Sequence, residues 1–91
     1  CTAVNAGGLN ATNSKSKAVT AAFLQGEKIT LTYSGLWDWL YLETPEWAGA
    51  RYDNGGMGGT GTLPVVLDAD KTIVRWRASQ ASITVTATCT P

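Results

Sequence analysis

Apolar and polar positions alternate with a period of two in the best-defined stretches of the chain. From Lys28 to Ser34, Ile29, Leu31 and Tyr33 fall on one side and Lys28, Thr30 and Thr32 on the other. From Ala81 to Cys89 the same split recurs, with Ile83, Val85, Ala87 and Cys89 opposed to Ser82, Thr84, Thr86 and Thr88. Successive side chains of an extended strand point to opposite faces, so both stretches predict half-buried strands.

Weaker patterns fill the rest. Val19–Leu24, Trp37–Glu43, Thr62–Leu67 and Thr72–Arg77 read as further strands. The turns between them fall at Gln25-Gly26-Glu27, Gly35, Asp68-Ala69-Asp70-Lys71 and Ser79-Gln80, and Pro45 ends the tryptophan-rich segment. Pro64 cannot donate to a ladder, which directs its strand to a sheet edge or a bulge. Glu46–Gly61 holds six glycines and predicts a long loop, with at most a short strand around Ala50–Tyr52. No window shows a helical period. Short strands with turns at roughly ten-residue spacing predict an all-β fold, an antiparallel β-sandwich of Ig-like or jelly-roll type with about seven or eight strands.

The first sixteen residues differ. Cys1–Asn5 predicts an extended strand, and Ala6–Lys17 has the small, polar composition of a flexible tether. A short sticky segment on a tether suits strand exchange between subunits, with Cys1, Thr2, Ala3, Val4 and Asn5 as the exchanged strand. An ordinary first strand followed by a surface loop fits the same residues. The 91 residues amount to one domain.

Composition narrows the function classes. Only 15% of residues are charged, and seven basic side chains balance seven acidic ones. That leaves no basic stripe to neutralise phosphates, so nucleic acid has no electrostatic foothold. No apolar run is long enough to span a bilayer. The two cysteines, Cys1 and Cys89, bracket nearly the whole chain. Bonded to each other, they would stabilise the domain by roughly 4 to 5 kcal/mol in the chain-entropy picture. Such a bond belongs in an oxidising compartment, which predicts an extracellular or surface-displayed protein. Two other pairings stay open: a lipid on Cys1 that leaves Cys89 unpaired, and disulfides to neighbouring subunits.

The chemistry-bearing residues are few. Trp37, Trp39 and Tyr41 would share one strand face, with Trp47 and Tyr52 close in sequence. Such a cluster can pack against a partner protein, or stack on sugar rings while Arg51, Asp53 and Asn54 take the hydroxyls. The pairs Glu43/Glu46 and Asp68/Asp70 lack the companions a glycosidase needs. Neither Asp53-Asn54-Gly55 nor Asp68-x-Asp70 has EF-hand spacing, and these residues are favoured in turns for backbone reasons. No metal or cofactor is expected. The glycine run Gly55–Gly61 lacks the Lys-Ser/Thr ending of a phosphate loop. Asn10-Ala11-Thr12 matches an N-glycosylation sequon.

Two segments carry a family resemblance: Val19–Gly35, where an apolar strand turns at a Gly-Glu corner into an alternating strand, and Ile83–Pro91, a Thr/Val strand ending beside a cysteine. Together they resemble the small β-sandwich domains of bacterial surface adhesins, autotransporter passengers and extracellular filament subunits. That resemblance implies a structural or adhesive role with no catalytic residues, and it does not extend to Trp37–Trp47. The expected function is that of a non-catalytic subunit of a cell-surface filament, or an adhesin module. Its partners would be copies of itself or a neighbouring surface protein. The alternative is a carbohydrate-binding module that uses the tryptophan face.

Overall fold

The computed structural model describes residues 1–36, 39–44, 47–53, 59–79 and 82–91, giving the backbone alone at 36 and 47–53. Among the described residues there are eight strands: β1 (Ala11–Ser14), β2 (Ser16–Phe23), β3 (Lys28–Leu36), β4 (Trp39–Thr44), β5 (Trp47–Asp53), β6 (Gly59–Val66), β7 (Lys71–Ala78) and β8 (Ser82–Thr90). One helical turn, α1 (Thr2–Asn5), precedes them.

The pairing has a simple rule. β1 pairs with β8, β2 with β7, β3 with β6 and β4 with β5, all antiparallel. These are the pairs of one long two-stranded ribbon folded at its middle. Rolling the ribbon up adds the contacts β3·β8 and β4·β7 and leaves two sheets. Their strand orders are β1-β8-β3-β6 (the first sheet) and β2-β7-β4-β5 (the second). Of the two sandwich types expected, this winding is the jelly roll.

The alternating segments occupy the centre of the first sheet. Ile29, Leu31 and Tyr33 of β3 and Ile83, Val85, Ala87 and Cys89 of β8 all face inward and are buried. Leu40 and Leu42 of β4, with Val74, Trp76 and Ala78 of β7, meet them from the second sheet. Trp76 is wholly buried, and its indole Nε1 donates to the Leu9 carbonyl at 2.7 Å, so the large ring is packed without leaving its polar atom unpaired. Pro64 sits on β6, an edge strand that can spare its missing N–H, and its side chain is exposed. Gly61, opposite Tyr33, leaves the space the phenol fills: a Cβ there would lie 2.6 Å from Tyr33 Oη.

Four expectations need correction. Gly35 is not a turn but lies within β3, paired with Gly59 and Ile83. Cys1–Asn5 is a helical turn rather than a strand, with Asn5 N–H bonded to the Cys1 carbonyl at 3.0 Å. Ala6–Lys17 is not a uniform tether, because β1 and the start of β2 lie within it. The long loop shrinks on both sides: Trp47–Asp53 forms edge strand β5, and Gly59–Gly61 belongs to β6. Glycine lowers strand propensity, but a partner strand on one side is enough to hold these segments extended.

The Cys1–Cys89 disulfide forms across a sequence separation of 88 residues. It fastens α1 to the end of β8. No helix among the described residues is long and apolar enough to cross a membrane.

Candidate recognition face

The outer face of the second sheet is built from the alternate residues of β4 and β7. Leu40 and Leu42 point into the core, so Trp39, Tyr41 and Glu43 point out; Val74, Trp76 and Ala78 point in, so Arg75 and Arg77 point out. The ladder sets Tyr41 opposite Arg77 and Glu43 opposite Arg75.

These five side chains form one connected cluster. The Trp39 and Tyr41 rings stack, with centroids 5.1 Å apart and planes at 29°. The Arg77 guanidinium lies over the Tyr41 ring, 6.0 Å from its centroid, within reach of a cation–π attraction. A single oxygen of Glu43, Oε1, accepts from Arg75 Nε at 2.9 Å and from Arg75 Nη2, and lies 3.5 Å from Arg77 Nη1. The Glu43 side chain is 12% exposed, while those of Arg75 and Arg77 are 41% and 42% exposed. A sheltered carboxylate thus fixes two guanidiniums that still face solvent. Backbone ties anchor the start of β4: Trp39 N–H donates to Ser79 Oγ at 3.3 Å, and Ser79 N–H to the Trp39 carbonyl at 3.1 Å.

Of the aromatic candidates, Trp39 and Tyr41 therefore come together half-buried on one outer face. Trp37 lies outside the described residues, as does Asn54. Trp47, Arg51, Tyr52 and Asp53 lie on β5, where the backbone register sets Asp53 opposite Trp39, Arg51 opposite Tyr41 and Tyr52 opposite Leu40. Arg75, Arg77 and Trp76 were not singled out from sequence. The signal was present in Arg75-Trp76-Arg77: two charges flanking an indole on a strand put the indole inside and the charges outside. Glu43, weighed as half of a catalytic pair, is instead the anchor of the arginines, and Glu46 lies outside the described residues.

The other polar candidates have local structural partners. Asp68 pairs with Lys71 at 3.3 Å, and Asp70 Oδ1 accepts from Gln25 N–H at 2.8 Å. Asn10 Oδ1 accepts from Ala87 N–H at 2.9 Å. Glu27 accepts from Leu24 N–H at 2.6 Å and from the Cys1 nitrogen at 3.2 Å. The Leu24 hydrogen bond is the largest influence holding its carboxyl below the ordinary range, with the Cys1 amino group assisting and desolvation opposing. Among the described residues, Cys1, Glu27 and Cys89 bring potential metal-ligand atoms within 4.8 Å of one another. The disulfide engages both sulfurs, which leaves one carboxylate for a cation.

No protein-family description matches the chain, and no curated protein is similar to it. Among solved structures it is similar to a family 35 carbohydrate-binding module from an environmental isolate. The identity is 10%, over 88% of this chain and 69% of that one, with a TM-score of 0.49, too distant to inform function.

Proposed function

We propose that this chain is a non-catalytic extracellular recognition domain that joins neighbouring proteins in a cell-surface structure through the outer face of its second sheet. The observation that carries the reading is the Trp39–Tyr41 stack bordered by Arg77 and Arg75, both held by Glu43. Tryptophan, tyrosine and arginine are the residue types that dominate binding hot spots. A cluster already locked by stacking and ion pairs loses little side-chain freedom on contact. The three ions of this face, Glu43, Arg75 and Arg77, are already paired with one another, so they enter a contact partly neutralised. The disulfide fits an oxidising compartment.

A second reading, carbohydrate binding, draws on the same face, since fixed guanidiniums and a carboxylate beside aromatic rings can take sugar hydroxyls. The mutual stacking favours a protein partner, because each ring turns one face to the other and offers its edge and remaining flank. One pair of assays separates the two. Filament formation by electron microscopy and self-association by sedimentation velocity are measured beside a glycan array, for the parent chain and for Trp39→Ala. Loss of association on substitution, with no glycan signal from either protein, supports the assembly reading. Glycan binding by a monomeric parent chain, lost in Trp39→Ala, replaces it with the carbohydrate reading. Silence in both assays removes Trp39 from any contact role.

A further inference from the structure

The first sheet has an edge that is covered by side chains instead of a strand. β8 is paired along its full length with β3 on one side, from Ser82 opposite Leu36 to Thr90 opposite Lys28. On the other side β1 reaches only Ile83–Val85, opposite Ser14 and Ala11. Past Val85 the main-chain groups of β8 still need partners, and two asparagines supply them. Ala87 N–H donates to Asn10 Oδ1 at 2.9 Å, Cys89 N–H donates to Asn5 Oδ1 at 2.8 Å, and Asn5 Nδ2 donates back to the Cys89 carbonyl at 3.0 Å. The Asn5 amide thereby makes the two reciprocal bonds that a residue of an antiparallel strand would make.

Continuing the Ala11↔Val85 register would set Leu9 opposite Ala87 and Gly7 opposite Cys89. The chain leaves that path: Gly7 adopts φ +93°, and α1 folds back over the gap. Val4 and Leu9, each wholly buried, fill the space beneath. That space exists because β8 turns small residues inward there, Ala87 and Cys89, after Ile83 and Val85 under β1. The cover is then bonded covalently to Cys89 itself, the last of the residues it shields.

We propose that the edge of β8 from Thr86 to Thr90 is a strand-acceptor site, held closed by residues Cys1–Asn10. Its occupant is an extended, uncharged segment of another chain that prolongs the line of β1, with apolar side chains at alternate positions to replace Val4 and Leu9 and a main-chain carbonyl to take over the Trp76 Nε1 hydrogen bond from Leu9. The ladder of β1 runs directly into the site, the asparagine amides mark the main-chain bonds a guest strand takes over, and the small inward residues leave room for its side chains. Strand exchange, one of the two readings of Cys1–Asn5, is thus turned round, since this segment guards an acceptor and is not itself extended. The site belongs to the first sheet and stands or falls independently of the aromatic face.

The test uses the full chain with Cys1→Ser, Cys89→Ser, Asn5→Ala and Asn10→Ala, beside the disulfide-closed parent. The probe is a fluorescein-labelled synthetic peptide of residues 82–90 with C89S, which has the required alternation, and fluorescence anisotropy reads binding. Because a closed site lowers apparent affinity by the fraction that is open, the opened chain is expected to bind at least about tenfold tighter than the parent. Hydrogen exchange should show the amides at positions 87 and 89 of the opened chain, followed apart from those of the peptide, newly protected on binding, and the same peptide with V85P should not bind. If circular dichroism shows that the fourfold variant does not fold, the parent chain treated with a dithiol reductant takes its place. Equal affinity for open and closed forms, no binding to either, or binding without protection at positions 87 and 89 of the opened chain overturns the proposal.

Discussion

The outer faces of the two sheets are built on the same ladder and carry opposite chemistry. On the first sheet the cross-strand rows run Thr60–Ser34–Thr84, Thr62–Thr32–Thr86, Pro64–Thr30–Thr88 and Val66–Lys28–Thr90. Eight of these twelve positions are threonine and one is charged. On the second sheet the rows run Ser16–Arg77–Tyr41 and Ala18–Arg75–Glu43. Threonine is β-branched, loses little freedom on a pleated surface and stays hydrated, so it supports a strand without inviting a partner. Arginine, tyrosine and tryptophan are a costlier way to cover a sheet, because long side chains lose rotamer freedom when held. A face that spends that freedom on a fixed Trp–Tyr–Arg–Glu cluster has more to do than stay soluble.

The largest expected effect tests what the two faces share. Among the described residues Trp76 is the biggest fully buried side chain, and its indole reaches across to Leu9. Trp76→Ala should cost about 3 to 5 kcal/mol and melt both sheets in one transition, followed by urea denaturation with two optical probes. Two separate transitions would mean that the faces rest on separable cores.

Next comes the contrast between the faces themselves. Trp39→Ala should weaken association by about 2 kcal/mol or more, whereas Thr32→Ala on the first sheet should change neither association nor stability by more than about 0.5 kcal/mol. Equal effects in sedimentation would erase the distinction. Smaller still, Glu43→Gln should destabilise by about 1 kcal/mol, a modest figure because both guanidiniums are already near half exposure. An unchanged denaturation midpoint would mean the arginines hold their places unaided.

The finest test locates acid sensitivity away from either face. Glu27 has its carboxyl held below the ordinary range, chiefly by the Leu24 N–H. A carboxyl lower in the folded than in the unfolded chain binds fewer protons when folded. Its contribution is complete above the unfolded value and is lost as pH falls through the folded one. Stability should therefore drop below the usual carboxylate range, and Glu27→Gln should flatten that part of the pH–stability curve. A curve unchanged by the substitution would assign the acid response elsewhere.

The strands that alternate cleanly were legible because their pattern is local. β3 and β8 follow from Ile29-x-Leu31-x-Tyr33 and Ile83-x-Val85-x-Ala87, and the outward pairing of Trp39 with Tyr41 follows from the same parity. What could not be read were features fixed by distant groups. α1 has four residues and no side-chain cap, and it is held by a disulfide and an asparagine 84 residues from its partner. β5 was legible only as a short strand around Ala50–Tyr52, because its full length depends on the edge that β4 offers it. The Glu43 cluster needed the 4–7 strand pairing, which no local pattern encodes.

The disulfide has a mechanical consequence as well. Cys1 and Cys89 lie 5.0 Å apart between Cα atoms, and all the described strands lie in the loop they close, save Thr90 at the end of β8. Tension applied to the two ends passes from one sulfur to the other and bypasses the ladders between them, with only the Lys28–Thr90 pair outside the bridge. Pulled in series with other domains, this one transmits load as a single covalent link, and its sheets remain folded at forces that unzip an unbridged sandwich.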